Sequence, residues 1–271
     1  MADNDTNLDV TYFSPCEVLR PYIRYYYVLK CINSFSSLTF PLGCPQILFH
    51  RCNPLYIPEL DKTQAQFTIS GQVNFPSHVA TDGNTDMIAI VFYPHTIGPF
   101  IAASASLLYN QEISGFDIGN RAINRLALSV LDCDDTALCI KRIENYLISR
   151  LDSTLPVDLV KTGICVKNLM QSPGMTVKTL AAKACLSERQ FVRVFHRYVG
   201  MNPKEYAAIV RFQKTLWMLQ NGNRNFADIA YACDYSDQSH FIRHFRKYSG
   251  KTPAQFLALQ PVYSDLFNNP V

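Results

Sequence analysis

The sequence predicts an α+β protein of two domains. A mostly-β amino-terminal domain followed by helices precedes an all-α carboxy-terminal domain with two helix-turn-helix motifs joined by a central helix. Three observations predict this. Short apolar runs alternate with proline, glycine and asparagine in the first half, and one helical pattern occurs twice in the last third. Charge is also divided: residues 1–155 contain 10 Lys and Arg against 15 Asp and Glu, whereas residues 156–257 contain 15 against 6. A basic domain of this kind is typical of proteins with a polyanionic partner.

The composition is that of a globular protein, with 271 residues of which 48% are hydrophobic and 17% charged. The start of the chain is acidic and polar and lacks the features of a secretory signal, so we expect a cytoplasmic, nucleoid-associated protein without membrane contact. The most membrane-like stretch, Ile97 to Tyr109, contains glycine, proline and serines. It is shorter than the roughly 20 residues that a spanning helix needs, and it is predicted to be a packed helix.

Nine cysteines give little support to disulfide or metal chemistry. Their number is odd and no C-x-x-C pair occurs, which argues against a disulfide framework. Cys44, His50 and Cys52 offer three ligand types close in sequence, but no second cluster pairs with them. P-loop and G-x-S-x-G motifs are absent from the sequence. No metal, cofactor or catalytic residue is therefore predicted.

Four candidate strands bounded by turn residues indicate a β-rich first domain. They are Tyr25 to Lys30, Gln46 to His50, Phe67 to Ser70 and Met87 to Tyr93. The strand aromatics are predicted core residues, with a ligand cavity as the alternative.

Helices are predicted from near Pro99, over Ala122 to Leu131 and over Thr136 to Leu151. The last helix carries a stripe of four aliphatic residues, Ile140, Ile143, Leu147 and Leu151. This stripe either packs on its own domain or pairs with a second subunit, and the sequence leaves both open.

An internal repeat occupies the last third of the chain, where residues 176–206 match residues 225–256 with one extra residue in the second copy. Each copy is predicted to be a short helix, a tight turn and a longer helix. Thr176 and Asn225 are predicted caps of the short helices. Ser187, which the alignment pairs with Ser236, is predicted to start the longer helix of the first copy with a capping box.

Each copy contains a glycine followed by a proline near its end. Gly200 and Gly250 are predicted to end the longer helices in the left-handed conformation. Between the copies, Pro203 to Gln220 is apolar on more than one face and is predicted to be a shared scaffold helix with Trp217 in the core. This scaffold would hold the two longer helices so that they enter successive major-groove turns, about 34 Å apart.

The longer helices present polar side chains opposite a buried phenylalanine stripe. Arg193 and Arg243 occupy the same repeat position, and an arginine fork can donate two hydrogen bonds to guanine. For a single helix the alternative is an ordinary solvated face, but duplication of the whole pattern favours DNA recognition. Five side chains are predicted to contact phosphates: Gln190, His196, Arg197, Arg246 and Lys247.

These residues resemble the AraC/XylS family of bacterial transcription regulators. The resemblance covers roughly Pro156 to Leu257 and is most specific around the run YSDQSHFIRHF in the second copy. One departure is Asp234, which replaces the glycine usual in the second turn and tolerates left-handed geometry better than most residues. The resemblance implies seven base-facing residues: Arg189, Val192, Arg193, Gln238, Ser239, Ile242 and Arg243. Val192 and Ile242 are apolar and suit thymine methyl groups.

With this resemblance the chain divides into an effector-sensing or regulatory β-rich domain, a helical linker, a DNA-binding domain and a tail. The predicted ranges are 1–131, 132–155, 156–260 and 261–271, with helix-turn-helix units at about 176–199 and 225–249. The family often has a cupin-like front domain that senses an effector or mediates dimerisation.

The implied partners are double-stranded operator or promoter DNA, a small-molecule effector, a second copy of the chain and, for an activator, RNA polymerase. One alternative is a cupin-like metal-binding or enzymatic domain fused to a DNA-binding module, although the sequence lacks the His-x-His pair that a metal cupin would want. Another is an architectural protein, which would bind random and cognate duplexes equally.

Overall fold

The structure is a computed structural model that describes residues 8–151, 156–222 and 225–258. The predicted tail at 261–271 and part of the predicted linker lie outside the described residues. Within them, a β domain with flanking helices comes first and a helical domain second, which confirms the predicted α+β class. No helix in these ranges is long and apolar enough to cross a membrane.

The first domain contains two antiparallel sheets. The strands are β1 Asp9–Phe13, β2 Ile23–Cys31, β3 Phe35–Thr39, β4 Gln46–His50, β5 Tyr56–Ile57, β6 Lys62–Thr63, β7 Phe67–Ser70, β8 Ser77–Thr81, β9 Thr85–Phe92 and β10 Glu112–Ser114. The larger sheet has the order β1-β2-β9-β4-β7-β10 and the smaller has β3-β8-β5-β6. The bounds of β4 and β7 are those predicted, and β2 and β9 overlap the other two predicted strands.

Strand β9 is buried on both faces, as its apolar sequence predicts. On one face Ile88 and Ile90 join the core that includes the helices after the sheet. On the other face Met87 and Ala89 pack with Phe35 of the smaller sheet. The strand therefore lies at the centre of the β domain and separates two of its cores.

The helix predicted to begin near Pro99 is present, but its predicted extent to Tyr109 is wrong. Helix α1, Gly98–Ile101, ends after one turn at Ala102, whose φ of 54° is left-handed. A 3-10 helix then follows at Ala105–Leu108, and the side chain of Ser104 caps it by accepting from the backbone N–H of Ser106. Serine capping competes with helix continuation at this point.

Two longer helices, α2 Arg121–Leu131 and α3 Thr136–Ser149, cover the larger sheet. The predicted stripe on α3 packs on its own domain. Ile143 and Leu147 are buried in the core with the strands, and Ile140 and Leu151 are partly buried against the same core. This is the first of the two arrangements that the sequence allows.

The second domain is helical throughout its described elements. They are α4 Val157–Gln171, α5 Val177–Lys183, α6 Glu188–Val199, α7 Pro203–Gln220, α8 Phe226–Ala232, α9 Gln238–Ser249 and α10 Pro253–Ala258. Helices α5 and α6 form the first helix-turn-helix unit, and α8 and α9 form the second. Helix α7 has the predicted bounds and buries apolar side chains on several faces.

Trp217 is not the core residue that the sequence predicts. It is 38% exposed, because it shares a face of α7 with Lys214 and Asn221, which are half-buried and exposed. At 100° per residue these positions form one stripe, and the apolar residues on either side of it face the two units.

The two domains share one apolar core. Tyr25 and Val91 of the β domain belong to the same cluster of buried residues as Phe212 of α7. The ring of Phe40, which follows β3, lies 6.0 Å from that of Phe212 and 5.7 Å from that of Phe256 between centroids. The β domain is thus packed directly on the scaffold helix.

Polar contacts frame this apolar interface. Gln213 of α7 donates from Nε2 to the carbonyl of Pro41 at 2.6 Å. Glu205 at the start of α7 accepts from the Tyr109 hydroxyl and from Asn74 Nδ2, the latter at 2.6 Å. Charge-assisted bonds of this kind are stronger than neutral ones and fix geometry.

The end of helix α6 also contacts the β domain. Ser104 Oγ donates to the carbonyl of Arg197 at 3.0 Å. Gly200, with φ 89°, ends α6, and a Cβ placed on it would lie 2.8 Å from the Ala105 carbonyl oxygen. Gly250 ends α9 with φ 72°, and a Cβ there would meet nothing within 4 Å.

This difference predicts unequal effects of alanine at the two glycines. Gly250→Ala should lower the free energy of unfolding by about 1 kcal/mol, the strain of a side chain in left-handed backbone. Gly200→Ala should cost about 1–3 kcal/mol more, since it adds a steric clash with the β domain. Denaturant unfolding of the two variants of the full chain measures this, and equal losses would contradict the contact.

Candidate nucleic-acid interface

The first helix of each helix-turn-helix unit begins at the predicted cap. Thr176 Oγ1 accepts from the backbone N–H of Thr179 at 3.1 Å. Asn225 Oδ1 accepts from the N–H groups of Ala227 and Asp228 at 3.0 and 3.4 Å. Each cap satisfies backbone donors that would otherwise lack a partner at the helix start.

The recognition helix of the first unit, α6, begins with the predicted capping box. Ser187 Oγ accepts from the N–H of Gln190 at 3.3 Å, and Gln190 Oε1 accepts from the N–H of Ser187 at 3.2 Å. This reciprocal pair fixes the residue at which the helix starts. It therefore also fixes which side chains face outward along α6.

The recognition helix of the second unit, α9, is capped by Asp237, so the predicted pairing of Ser187 with Ser236 is wrong. Asp237 Oδ1 accepts from the N–H of His240 at 2.7 Å, and this bond lowers the pKa of the Asp237 carboxyl. The extra residue of the second copy therefore precedes the cap. A carboxylate at the cap position accepts strongly from the first turn.

From these two caps onward the recognition helices correspond residue by residue. Both contain 12 residues and end at a left-handed glycine. Arg193 is the sixth residue of α6 and Arg243 the sixth of α9. The two arginines therefore occupy the same place on equivalent helices.

The turns before the recognition helices are also equivalent. Cys185 has φ 54° and Asp234 has φ 57°, so both turns contain a left-handed residue that is not glycine. In both, the next residue closes the turn: Leu186 N–H donates to Ala181 at 3.0 Å and Tyr235 N–H to Ala230 at 2.9 Å. The expectation that Asp234 tolerates this geometry is confirmed.

The predicted base-facing set falls into two classes by exposure. The polar members are exposed on α6 and α9: Arg189, Arg193, Gln238, Ser239 and Arg243. Val192 and Ile242 are half-buried and pack partly against the domain core. They also occupy equivalent positions, beside the two arginines.

The predicted phosphate contacts lie along the same helices and are exposed. Gln190 already uses its Oε1 in the capping box. Nearer the helix ends, the Arg197 guanidinium lies 5.6 Å from the Tyr198 ring centroid and the Lys247 ammonium 5.0 Å from that of Tyr248. Stacking on tyrosine restricts these cations while leaving them exposed.

His244 is half-buried at the edge of the core. Burial, followed by the nearby cation Arg211, lowers its pKa to about 3, so the imidazole is neutral at pH 7. Its Nδ1 lies 2.9 Å from the Tyr235 hydroxyl. This pair joins α9 to the turn that precedes it.

Sequence reasoning missed the contacts between this domain and the β domain. The bond from Gln213 to Pro41 joins residues 172 apart in the chain, and the one from Ser104 to Arg197 joins residues 93 apart. No local pattern signals such pairs. In the described ranges no group of three or more His, Cys, Asp or Glu side chains is placed to hold a metal ion.

Glycine substitutions in the two turns should separate backbone strain from hydrogen bonding. Cys185 is exposed, so Cys185→Gly should raise the free energy of unfolding by about 0.5–1 kcal/mol through relief of left-handed strain. Asp234 Oδ2 accepts from the N–H of Gly174 at 3.1 Å, so Asp234→Gly loses this bond and should give no gain. Thermal or denaturant unfolding checks both, and a larger gain at Asp234 would refute the assignment.

Two family models match the chain. One, described as a helix-turn-helix domain, matches residues 180–258, and the other, described as a domain of unknown function (DUF6597), matches residues 11–114. The first range contains α6 to α10 with both recognition helices. The second contains the ten strands except for the start of β1.

Curated relatives are transcription regulators by name. The probable transcription factor PqrA of Proteus vulgaris is 31% identical over 88 residues, which cover 32% of this chain and 72% of that protein. The Msm operon regulatory protein of Streptococcus mutans is 29% identical over 167 residues, which cover 61% of this chain and 58% of that protein. For regulators from Haemophilus influenzae and Pseudomonas aeruginosa the chain covers 27% and 32% of the relative's length.

A solved structure aligns over most of the length. ToxT from Vibrio cholerae O395 is 10% identical with a TM-score of 0.43, covering 94% of this chain and 98% of that one.

The helix-turn-helix match and the coverage of PqrA are the findings that show the family. The chain belongs to the AraC/XylS family of transcription regulators, with its helix-turn-helix DNA-binding domain in the carboxy-terminal third.

Proposed function

We propose that the protein is a sequence-specific DNA-binding regulator that reads two successive major-groove segments with α6 and α9. One observation carries the proposal: Arg193 and Arg243 are exposed at the same place on two helices of equal length. An ordinary surface gives no reason for such duplication. A double readout does, since each arginine can bind a guanine edge.

The neighbouring residues extend each recognition surface. Arg189 on α6, and Gln238 and Ser239 on α9, are exposed near the helix starts, the part of a recognition helix that contacts base edges. Val192 and Ile242 lie beside the arginines and suit thymine methyl groups. Because the two helices differ at their first two residues, the two half-sites should differ in sequence.

Phosphate contacts give affinity without specificity. His196 and Arg197 on α6, and Arg246 and Lys247 on α9, follow the proposed base-reading positions and are exposed. Gln190, held in its capping box, has its amide nitrogen left for a phosphate. These groups would set the register of each helix on the duplex.

The β domain would regulate this readout. It packs on α7 through Phe40 and Gln213, and on the end of α6 through Ser104 and Ala105. A change in the β domain on binding an effector, or on association with a second copy of the chain, would therefore alter the position of α6 relative to α9. The affinity for DNA that contacts both helices would then change.

Arginine substitutions test base readout. Full-length protein should prefer DNA from upstream of its own gene over random duplex. Arg193→Ala and Arg243→Ala should each cost about 1–3 kcal/mol on the upstream DNA and change random-duplex affinity little. Equilibrium binding measured across a salt series gives both quantities.

Arg246→Ala is the matched control, since it removes an exposed cation of α9 from a proposed phosphate contact. It should weaken both duplexes alike and reduce the salt slope by about one ion. If Arg193→Ala and Arg243→Ala behave in this same way, base readout by these residues is excluded. Equal wild-type affinity for upstream and random DNA would exclude sequence-specific binding.

The apolar positions allow an independent test on the DNA side. Replacing thymine by uracil removes only the methyl group, so substitution within the mapped half-sites should weaken binding at the thymines beside Val192 and Ile242. Uracil at a thymine outside the mapped contacts is the control. Unchanged affinity for every uracil-substituted site would refute the methyl contacts.

A further inference from the structure

The two sheets of the β domain enclose a cavity of about 270 Å³, here called the β-domain cavity. Its walls come from strands of both sheets and from the segment after β3, and one lining residue, Gln213, belongs to α7 of the DNA-binding domain. Most of the lining side chains are aliphatic or aromatic, with a few polar groups among them. This is the usual character of a small-molecule site.

The charge of the lining is one-sided. Among the described residues, no Lys, Arg or His side chain lines the cavity, and Glu112 is the one carboxylate that does. Two cations contact lining residues without lining the cavity themselves. Lys62 Nζ donates to the backbone carbonyl of Glu112 at 2.6 Å, and Arg24 Nη1 lies 3.8 Å from Cys44 Sγ.

Glu112 is held within the wall of the domain. It lies on the edge strand β10 and is half-buried, and its Oε2 accepts from Gln64 Nε2 at 2.9 Å. Gln64 is itself only 6% exposed. Burial raises the pKa of the Glu112 carboxyl, while Gln64, Ser70 and Lys62 lower it in part. A carboxylate withdrawn from water in this way gains from a cationic partner.

Three tyrosines form part of the cavity wall. The rings of Tyr12, Tyr25 and Tyr27 line the cavity. Their centroids lie 5.5 Å apart for Tyr12 and Tyr25, 6.3 Å for Tyr12 and Tyr27, and 6.4 Å for Tyr25 and Tyr27. The faces of such rings attract cations and pack well against apolar groups. The Arg24 guanidinium already lies 5.5 Å from the Tyr25 ring centroid, and among the described residues no cation lines the cavity to bind an anion.

We propose that the β-domain cavity binds a small apolar amine through an ion pair between its ammonium group and Glu112, and that it rejects carboxylates of the same size. The apolar body of the ligand packs against the aliphatic and tyrosine walls. The ligand would contact Gln213 of α7 and also the segment after β3, which packs on α7. This inference rests on the proposed regulation by the β domain and names the chemistry of its effector.

One scaffold with three end groups tests the charge selection. 4-Phenylbutylamine, 4-phenylbutanol and 4-phenylbutyrate carry a positive, a neutral and a negative end group at neutral pH. Titration calorimetry on the full-length protein should give the amine about ten-fold higher affinity than the alcohol, the scale of one charge-assisted hydrogen bond. The carboxylate should show no measurable binding.

Glu112→Gln should lower the affinity for the amine to that for the alcohol and leave the alcohol unchanged. Asp117→Asn, which removes an exposed carboxylate that does not line the cavity, is the matched control and should change neither. Carboxylate binding as tight as amine binding, no binding by any of the three compounds, or an unchanged amine affinity in Glu112→Gln would each overturn the proposal. The wild-type series decides the matter even if Glu112→Gln fails to fold.

The same titrations separate this inference from the proposed function. They use no DNA, so amine selectivity stands or falls without reference to operator binding. Operator affinity is then measured with and without saturating amine. Selective amine binding that leaves operator affinity unchanged would uphold the ligand class and refute regulation by the β domain.

Discussion

Helix α7 is packed from three directions at once, and this packing joins both helix-turn-helix units to the β domain. The ring of Phe212 lies 6.0 Å from Phe40 of the β domain and 5.4 Å from Phe245 of α9. Near the start of the helix, Tyr206 lies 5.9 Å from Phe195 of α6. Buried aromatics contribute several kcal/mol each, about 3–5 by truncation. A single helix thus joins α6 and α9 to the β domain.

Polar side chains of α7 also bind the β domain. Glu205 and Gln213 bind the β domain from one side of the helix, while the exposed arginines of α6 and α9 lie on other elements. The bonds between the domains and the exposed side chains of α6 and α9 therefore involve different atoms. The β domain meets α6 at the backbone carbonyl of Arg197, and the outward side chains of α6 and α9 stay exposed.

Much of the DNA-binding domain could be predicted because its determinants are local. Caps at Thr176 and Asn225, the glycine at 200 and the apolar period of α7 each act within a few residues. The alignment of the two copies is off by one residue at Ser236, because Ser236 and Asp237 are both residue types that cap helices and the cap of α9 is Asp237. Trp217 was misassigned since α7 is apolar on several faces and hydropathy does not say which face lacks a neighbour. The cavity and the interface between domains depend on pairs far apart in the chain, which no local pattern specifies.

The unequal surroundings of Gly200 and Gly250 have a consequence for how such a protein can diversify. The end of α6 abuts the β domain, whereas the end of α9 meets open space. A side chain added at Gly250 meets no atom of the β domain, whereas one added at Gly200 must be matched by changes in the 3-10 helix at Ala105–Leu108. The end of α9 can therefore change one residue at a time, while the end of α6 can change only together with the β domain.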